Sequence, residues 1–389
     1  MVLRKIPAMM FCAVALLAEP AAADLAISGQ DGKQVRAGDG LPMTPTPDSV
    51  AVIEFSSSRA PRVIGSIEVC STQMGPPAAL AVARDYSFVL AACPQKIGEG
   101  GKNVSEKLLS VIGLDDVTKP KLLQQVEAGE GTTAVYLNKA GTVALATGVG
   151  DDTITLFTIK DRKLTRASQV KLEAKAEPRE ILIAEDGRTA YALRFGDAKV
   201  TKLAIKGDQL SRVADWDVGV QPDGGGLTRD GRWLIVNNFG GAPGTPKGNG
   251  ATSVTDTRTG KITYAVEVGA LPEAVVLSPD NKYVAIVIGN GSATVRNAAN
   301  YDSVFGKLSL FAVGQGKSQG TLTHIADAQL GHACQGAVWS DDGKRLLVQC
   351  SVERDIRVFD FDGKALTERP EAVLKMVSRP GAMVTNKTR

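Results

Sequence analysis

Four polar residues open successive apolar segments of this 389-residue chain: Arg179, Asp223, Glu273 and Gln335, spaced by 44, 50 and 62 residues. The first three each follow a proline, Pro178, Pro222 and Pro272, and the fourth follows Cys334. Two carboxylates beside an arginine can orient a water molecule or bind a polar ligand, and crowding raises the pKa of one acid toward that of a general base. Asp223, Glu273 and Arg179 are therefore the candidate catalytic residues. Gln335, with His332, Gln221 and Arg379 close to the same positions in sequence, makes up the candidate ligand-binding set. The alternative is a solvated channel whose charges pair with one another. Metal is not expected, because His324 and His332 do not form a tight ligand pair and no acidic cluster flanks them. No Gly-x-Ser-x-Gly elbow occurs, and no residue calls for a cofactor.

A repeat must bring these residues together. Its unit is an apolar strand, a turn rich in Asp and Gly, and a second apolar strand. It covers residues 80–85 then 88–92, 133–141 then 143–147, 181–187 then 190–193, 225–231 then 234–236, 274–281 then 283–287, and 336–343 then 345–348. A seventh unit starts at Pro380 and reaches its turn at Arg389. Anchored on one turn residue per unit (Tyr86, Gly141, Gly187, Gly231, Asn281, Gly343), the repeats are 44 to 62 residues apart, a propeller-like period. A third, strictly alternating strand follows each hairpin, as in Thr153-Ile154-Thr155-Leu156-Phe157, and a fourth leads back to the next unit. The expected fold is an all-β, seven-bladed β-propeller. Its last blade is closed by one C-terminal strand and three N-terminal ones over residues 25–28, 49–55 and 63–69, so residues 24–389 form a single domain. The Pro-flanked polar residues would then converge near the axis. Long second-to-third-strand loops at 94–106, 239–249, 289–306 and 29–48 would wall a cleft above them.

Residues 1–23 read as an export signal: Arg4 and Lys5 first, an apolar stretch, then small residues before Asp24. Without it, Cys70, Cys93, Cys334 and Cys350 remain, an even number suited to disulfides. Cys334 and Cys350 flank the turn at Asp341-Asp342-Gly343 symmetrically and should face one another across the hairpin. Cys93 holds in blade one the place of Cys350, but Pro77 replaces a cysteine partner, which leaves Cys70 for Cys93. A periplasmic or secreted protein is expected, not bound to membrane after signal cleavage. The net charge of +3, with no basic run, excludes nucleic acid as a partner. A small-molecule ligand or a periplasmic protein is expected instead.

The turns Leu277-Ser278-Pro279-Asp280-Asn281-Lys282-Tyr283 and Trp339-Ser340-Asp341-Asp342-Gly343-Lys344-Arg345 resemble those of the YVTN surface-layer repeats. They are also similar to turns of the seven-bladed lactonase propellers related to 6-phosphogluconolactonase and, more distantly, of the methylamine dehydrogenase heavy subunit. The lactonase resemblance implies ring opening by water, with a carboxylate as general base and Arg179 stabilising the oxyanion. Only Pro178-Arg179 matches a motif of that group, in which a His follows the Arg; here Glu180 follows. Two readings stand: an exported propeller binding a small molecule or protein partner on its loop-rich face, and a lactonase-like hydrolase.

Overall fold

In each repeat the first two strands are largely buried while the outer strand is charged and alternates with exposure, as in Tyr283–Ile288 against Gln209–Asp217. That contrast fits a radial stack. Inner strands lie between neighbouring sheets and bury both faces, whereas outer strands face water. The computed structural model describes residues 24–34, 38, 44–72 and 77–387, so the expected export signal lies outside the described residues. Among the described residues it contains seven antiparallel blades, six of four strands and blade six of five, because Leu366–Glu368 and Leu374–Lys375 share the outer position on Asp355–Phe361. Blade one begins at Leu80–Val82, blade two at Thr132–Leu137, blade three at Pro178–Ile183, blade four at Pro222–Leu227, blade five at Pro272–Leu277 and blade six at Cys334–Trp339. In blade seven the C-terminal strand Arg379–Val384 is innermost and pairs with Asp24–Asp31, which is followed outward by Ser49–Ser56 and Arg59–Glu68. The split blade is as expected.

Apolar clusters fill the spaces between blades. Trp339, Phe359 and Phe361 of blade six, for example, pack on Ala285, Val287 and Leu310 of blade five. The turn anchors have one conformation in common: Tyr86, Gly141, Gly187, Gly231, Asn281 and Gly343 all have φ between 56° and 71°. Glycine and asparagine tolerate that region, which is why they recur there. Tyr86 is the exception. Its hydroxyl donates to the Leu25 carbonyl (2.6 Å), linking blade one to blade seven.

Both disulfides form as the register requires. Cys334 is the direct partner of Cys350, with Cα atoms 3.9 Å apart, and Cys70 is bonded to Cys93 across 5.3 Å. Among the described residues no helix is long and apolar enough to cross a membrane.

Candidate functional site

The inner strands of blades two to six share an irregularity at their first residues. Pairing with the second strand slips there, between Pro222 and Gly225, Pro272 and Val275, Cys334 and Ala337, and Pro178 and Glu180. Arg179, Asp223, Glu273 and Gln335 all fall inside these slips. A bulge takes a residue out of the ladder and re-aims its side chain, which explains how polar residues sit at the start of otherwise apolar strands.

Arg179 and Asp223 are joined directly, Asp223 acts on Glu273 through its charge, and Gln335 neighbours Glu273. Arg179 donates from Nη1 to Asp223 Oδ1 (3.3 Å), approaches Glu177 Oε2 (3.7 Å), and lays its guanidinium 3.3 Å from the centroid of the Phe195 ring. Phe239, from the long loop of blade four, meets Phe195 edge-on at 5.6 Å. The Gln335 amide favours the ionised form of the Glu273 carboxyl, against the larger effects of burial and of Asp223. Main chains pack as tightly: a methyl group at Gly224 would lie 1.9 Å from the Glu273 carbonyl oxygen. Asn237 in turn donates to the carbonyls of Glu273 (3.1 Å) and Ala274 (3.2 Å), and accepts from Thr252 Oγ1 (2.7 Å).

The electrostatics follow from burial. Asp223 has no exposed surface and Gln335 is 5% exposed, while Glu273 and Arg179 are partly exposed. Burial raises the Asp223 carboxyl to about 6 against the opposing pull of Arg179. Glu273 stands well above the ordinary carboxylate range, first through burial and then through the negative charge of Asp223. Among the described residues, Asp223 Oδ2, Glu273 Oε2 and Gln335 Oε1 are buried without a hydrogen-bond partner. Three buried oxygens on consecutive blades thus lack partners, an arrangement that costs free energy unless a ligand or water supplies them.

The other expected ligand-binding residues are placed differently. His332 is 2% exposed, with Nδ1 on Glu353 Oε1 (2.5 Å), Nε2 on the Tyr301 carbonyl (2.8 Å), and its ring stacked on Tyr301 at 3.9 Å. It fastens the long loop of blade five over blade six. Gln221 is exposed, in a left-handed turn (φ 56°), with its carbonyl accepting from the Phe239 amide (3.0 Å). Arg379 is buried at the start of the innermost strand of blade seven and donates to the Gln34 carbonyl. Two of the long loops touch: the Asn297 backbone amide donates to the Gly38 carbonyl (3.2 Å), joining the blade five and blade seven loops.

Phe195, Glu177 and Asn237 escape sequence reasoning. Phe195 and Glu177 lie just outside strands, and their contacts depend on how loops fold back. Asn237 ends an apolar run in which a polar residue was the one available signal. Glu180, at the position of the family's histidine, is 2% exposed, and its Oε1 accepts from the Ile181 amide (3.0 Å).

The family described as "Lactonase, 7-bladed beta-propeller" matches residues 43–372. No curated protein matches the chain. Among solved structures, the periplasmic gluconolactonase of Pseudomonas aeruginosa superposes with a TM-score of 0.67 at 17% identity, covering 93% of this chain and 99% of that one. A Bacteroides fragilis protein named as a candidate 6-phosphogluconolactonase gives 0.68 at 18%, covering 94% and 98%. Hydrazine synthase of Kuenenia stuttgartiensis gives 0.56 at 16%, covering 76% and 79%. At these identities the likeness shows the fold alone.

Proposed function

This chain belongs to the seven-bladed β-propeller lactonase family, and from that premise we propose that it opens the ring of a small, neutral, polyhydroxylated lactone outside the cytosol. The observation that carries the reading is the set of buried oxygens without partners, Asp223 Oδ2, Glu273 Oε2 and Gln335 Oε1. A neutral polyol brings hydroxyls that donate to Asp223 and Gln335 and accept from the protonated Glu273. A phosphorylated substrate brings acceptors and charge, against two carboxylates and one arginine already engaged by Asp223. The gluconolactonase among the similar structures supports the same substrate class. Two disulfides support an exported location.

The two acids divide the proton work because their environments separate them. Asp223, raised to about 6, is largely ionised at neutral pH and serves as general base; Glu273, held higher, retains its proton and serves as general acid. Water held against Asp223 Oδ2 attacks the lactone carbonyl and gives its proton to Asp223. Arg179 stabilises the oxyanion as the carbonyl π bond opens. Collapse breaks the bond to the ring oxygen, and Glu273 protonates that oxygen. The product is a hydroxy acid. Asp223 has no exposed surface, so Arg179, stacked on Phe195, must shift to admit substrate.

The same burial favours a second reading, in which the ring binds a polyhydroxylated ligand or a periplasmic protein without turnover. Pure protein assayed on gluconolactone separates the two: hydrolysis above the spontaneous rate, lost in Asp223→Asn, supports the enzyme, while binding without hydrolysis supports the second.

A further inference from the structure

The opposite end of the axis has the reverse chemistry. Where the inner hairpins turn, a cavity of about 310 Å³ opens among blades one to five and the C-terminal segment. Its inner wall is apolar, formed by Leu182, Leu227, Val275 and Leu277, and its mouth is cationic, formed by Arg84, Lys139, Arg229 and Lys387 around one carboxylate, Glu185. Glu185 is shared: Arg84 bonds Oε1 at 2.7 Å and Lys139 bonds Oε2 at 2.9 Å, so these two cations exceed their partner by one charge. Lys387 is neutralised by Asp341. Arg229 is held in place without a carboxylate among the described residues, its amide on Asn281 Oδ1 (2.6 Å) and its Nη2 on the Pro279 carbonyl (2.6 Å). A guanidinium fixed through one of its five donors leaves a planar fork for a carboxylate.

We propose that this cavity is a second binding site, taking a small organic carboxylate whose apolar body enters between blades three, four and five while its head meets Arg229. The volume is at the lower end of small-ligand pockets, and an apolar wall with a few placed polar groups is their usual lining. The excess positive charge sets the sign of the ligand, and the wall sets its body. The site is independent of the ring of buried oxygens and of the hydrolytic reading.

The test is fluorescence titration of the full chain with naphthoate, naphthol and naphthylmethylammonium, three ligands of similar shape and different charge. Naphthoate should bind roughly tenfold or more tighter than naphthol, the worth of one charge-assisted contact. The ammonium compound should bind weakest, and naphthoate affinity should fall with added salt. Arg229→Ala should reduce naphthoate to the level of naphthol, Arg229→Lys should recover part of the loss, and Asp223→Asn, at the far end of the axis, should change nothing. Equal affinity for the three compounds, indifference to Arg229→Ala, or loss on Asp223→Asn would overturn the proposal.

Discussion

At Asp223 two effects oppose one another: burial favours the neutral acid and Arg179 favours the carboxylate, and burial prevails, leaving the group at about 6 against an ordinary 3.8. A carboxylate raised in the folded state stabilises the fold fully below its unfolded pKa, and that contribution is lost as pH rises through the folded value. Asp223→Asn should therefore melt close to the parent near pH 4 and above it near pH 8, by up to a few kcal/mol; thermal melts across that range check it, and an equal or lower melting temperature at pH 8 contradicts it. Lys33 is the converse case. It is buried with Nζ on Asp48 Oδ2 (2.7 Å), Asp31 Oδ1 (3.3 Å) and the Thr72 carbonyl (2.7 Å). Lys33→Ala removes the lysine that faces the buried Asp48 carboxylate, and chemical denaturation should report a loss of about 3–5 kcal/mol. Arg179, Asp223, Glu273 and Gln335 were legible because their repeat position shows without any knowledge of contacts. The anchoring of His332 by Glu353 and Tyr301 was not, because it joins residues 21 and 31 positions apart through the fold of one long loop.

At the scale of elements, the turns were the most readable feature, and their backbone explains why. One residue per hairpin must take a left-handed conformation, so Gly or Asn recurs at a fixed place. Gly141 isolates that requirement: its φ is 67° and no atom lies within 4 Å of where a Cβ would stand. Gly141→Ala should cost roughly 1–2 kcal/mol by backbone strain alone, with Gly141→Asn costing less, measured by urea unfolding. An alanine variant as stable as the parent would contradict the turn geometry. The bulges at the strand starts were not readable, since Pro222-Asp223-Gly224 looks like the beginning of any strand. They are nevertheless what shapes the candidate site, because they turn Asp223 and Glu273 out of the ladder.

Across the whole molecule, closure depends on the two ends of the chain sharing one sheet, with Ser28 opposite Met383 and Ile27 opposite Val384. Removing residues 24–55 strips two strands from blade seven and uncovers the edge of Arg379–Val384. The truncated chain should aggregate. A soluble product that melts cooperatively would show that blade seven is dispensable. The seven-bladed fold was legible because weak repeats reinforce one another, whereas the substrate was not, because one fold hosts many functions and a repeat pattern reports the fold alone.

The central claim is that Asp223 and Glu273 perform acid–base lactone opening, and the pH dependence of kcat/KM on gluconolactone tests it most directly. A rising limb near pH 6, set by Asp223, should give way to a fall at higher pH as Glu273 loses its proton. Asp223→Asn should remove the rising limb and lower the rate by roughly 10²–10⁴-fold, and Glu273→Gln should remove the fall at high pH. A bell of the same shape and height in both variants would contradict the account.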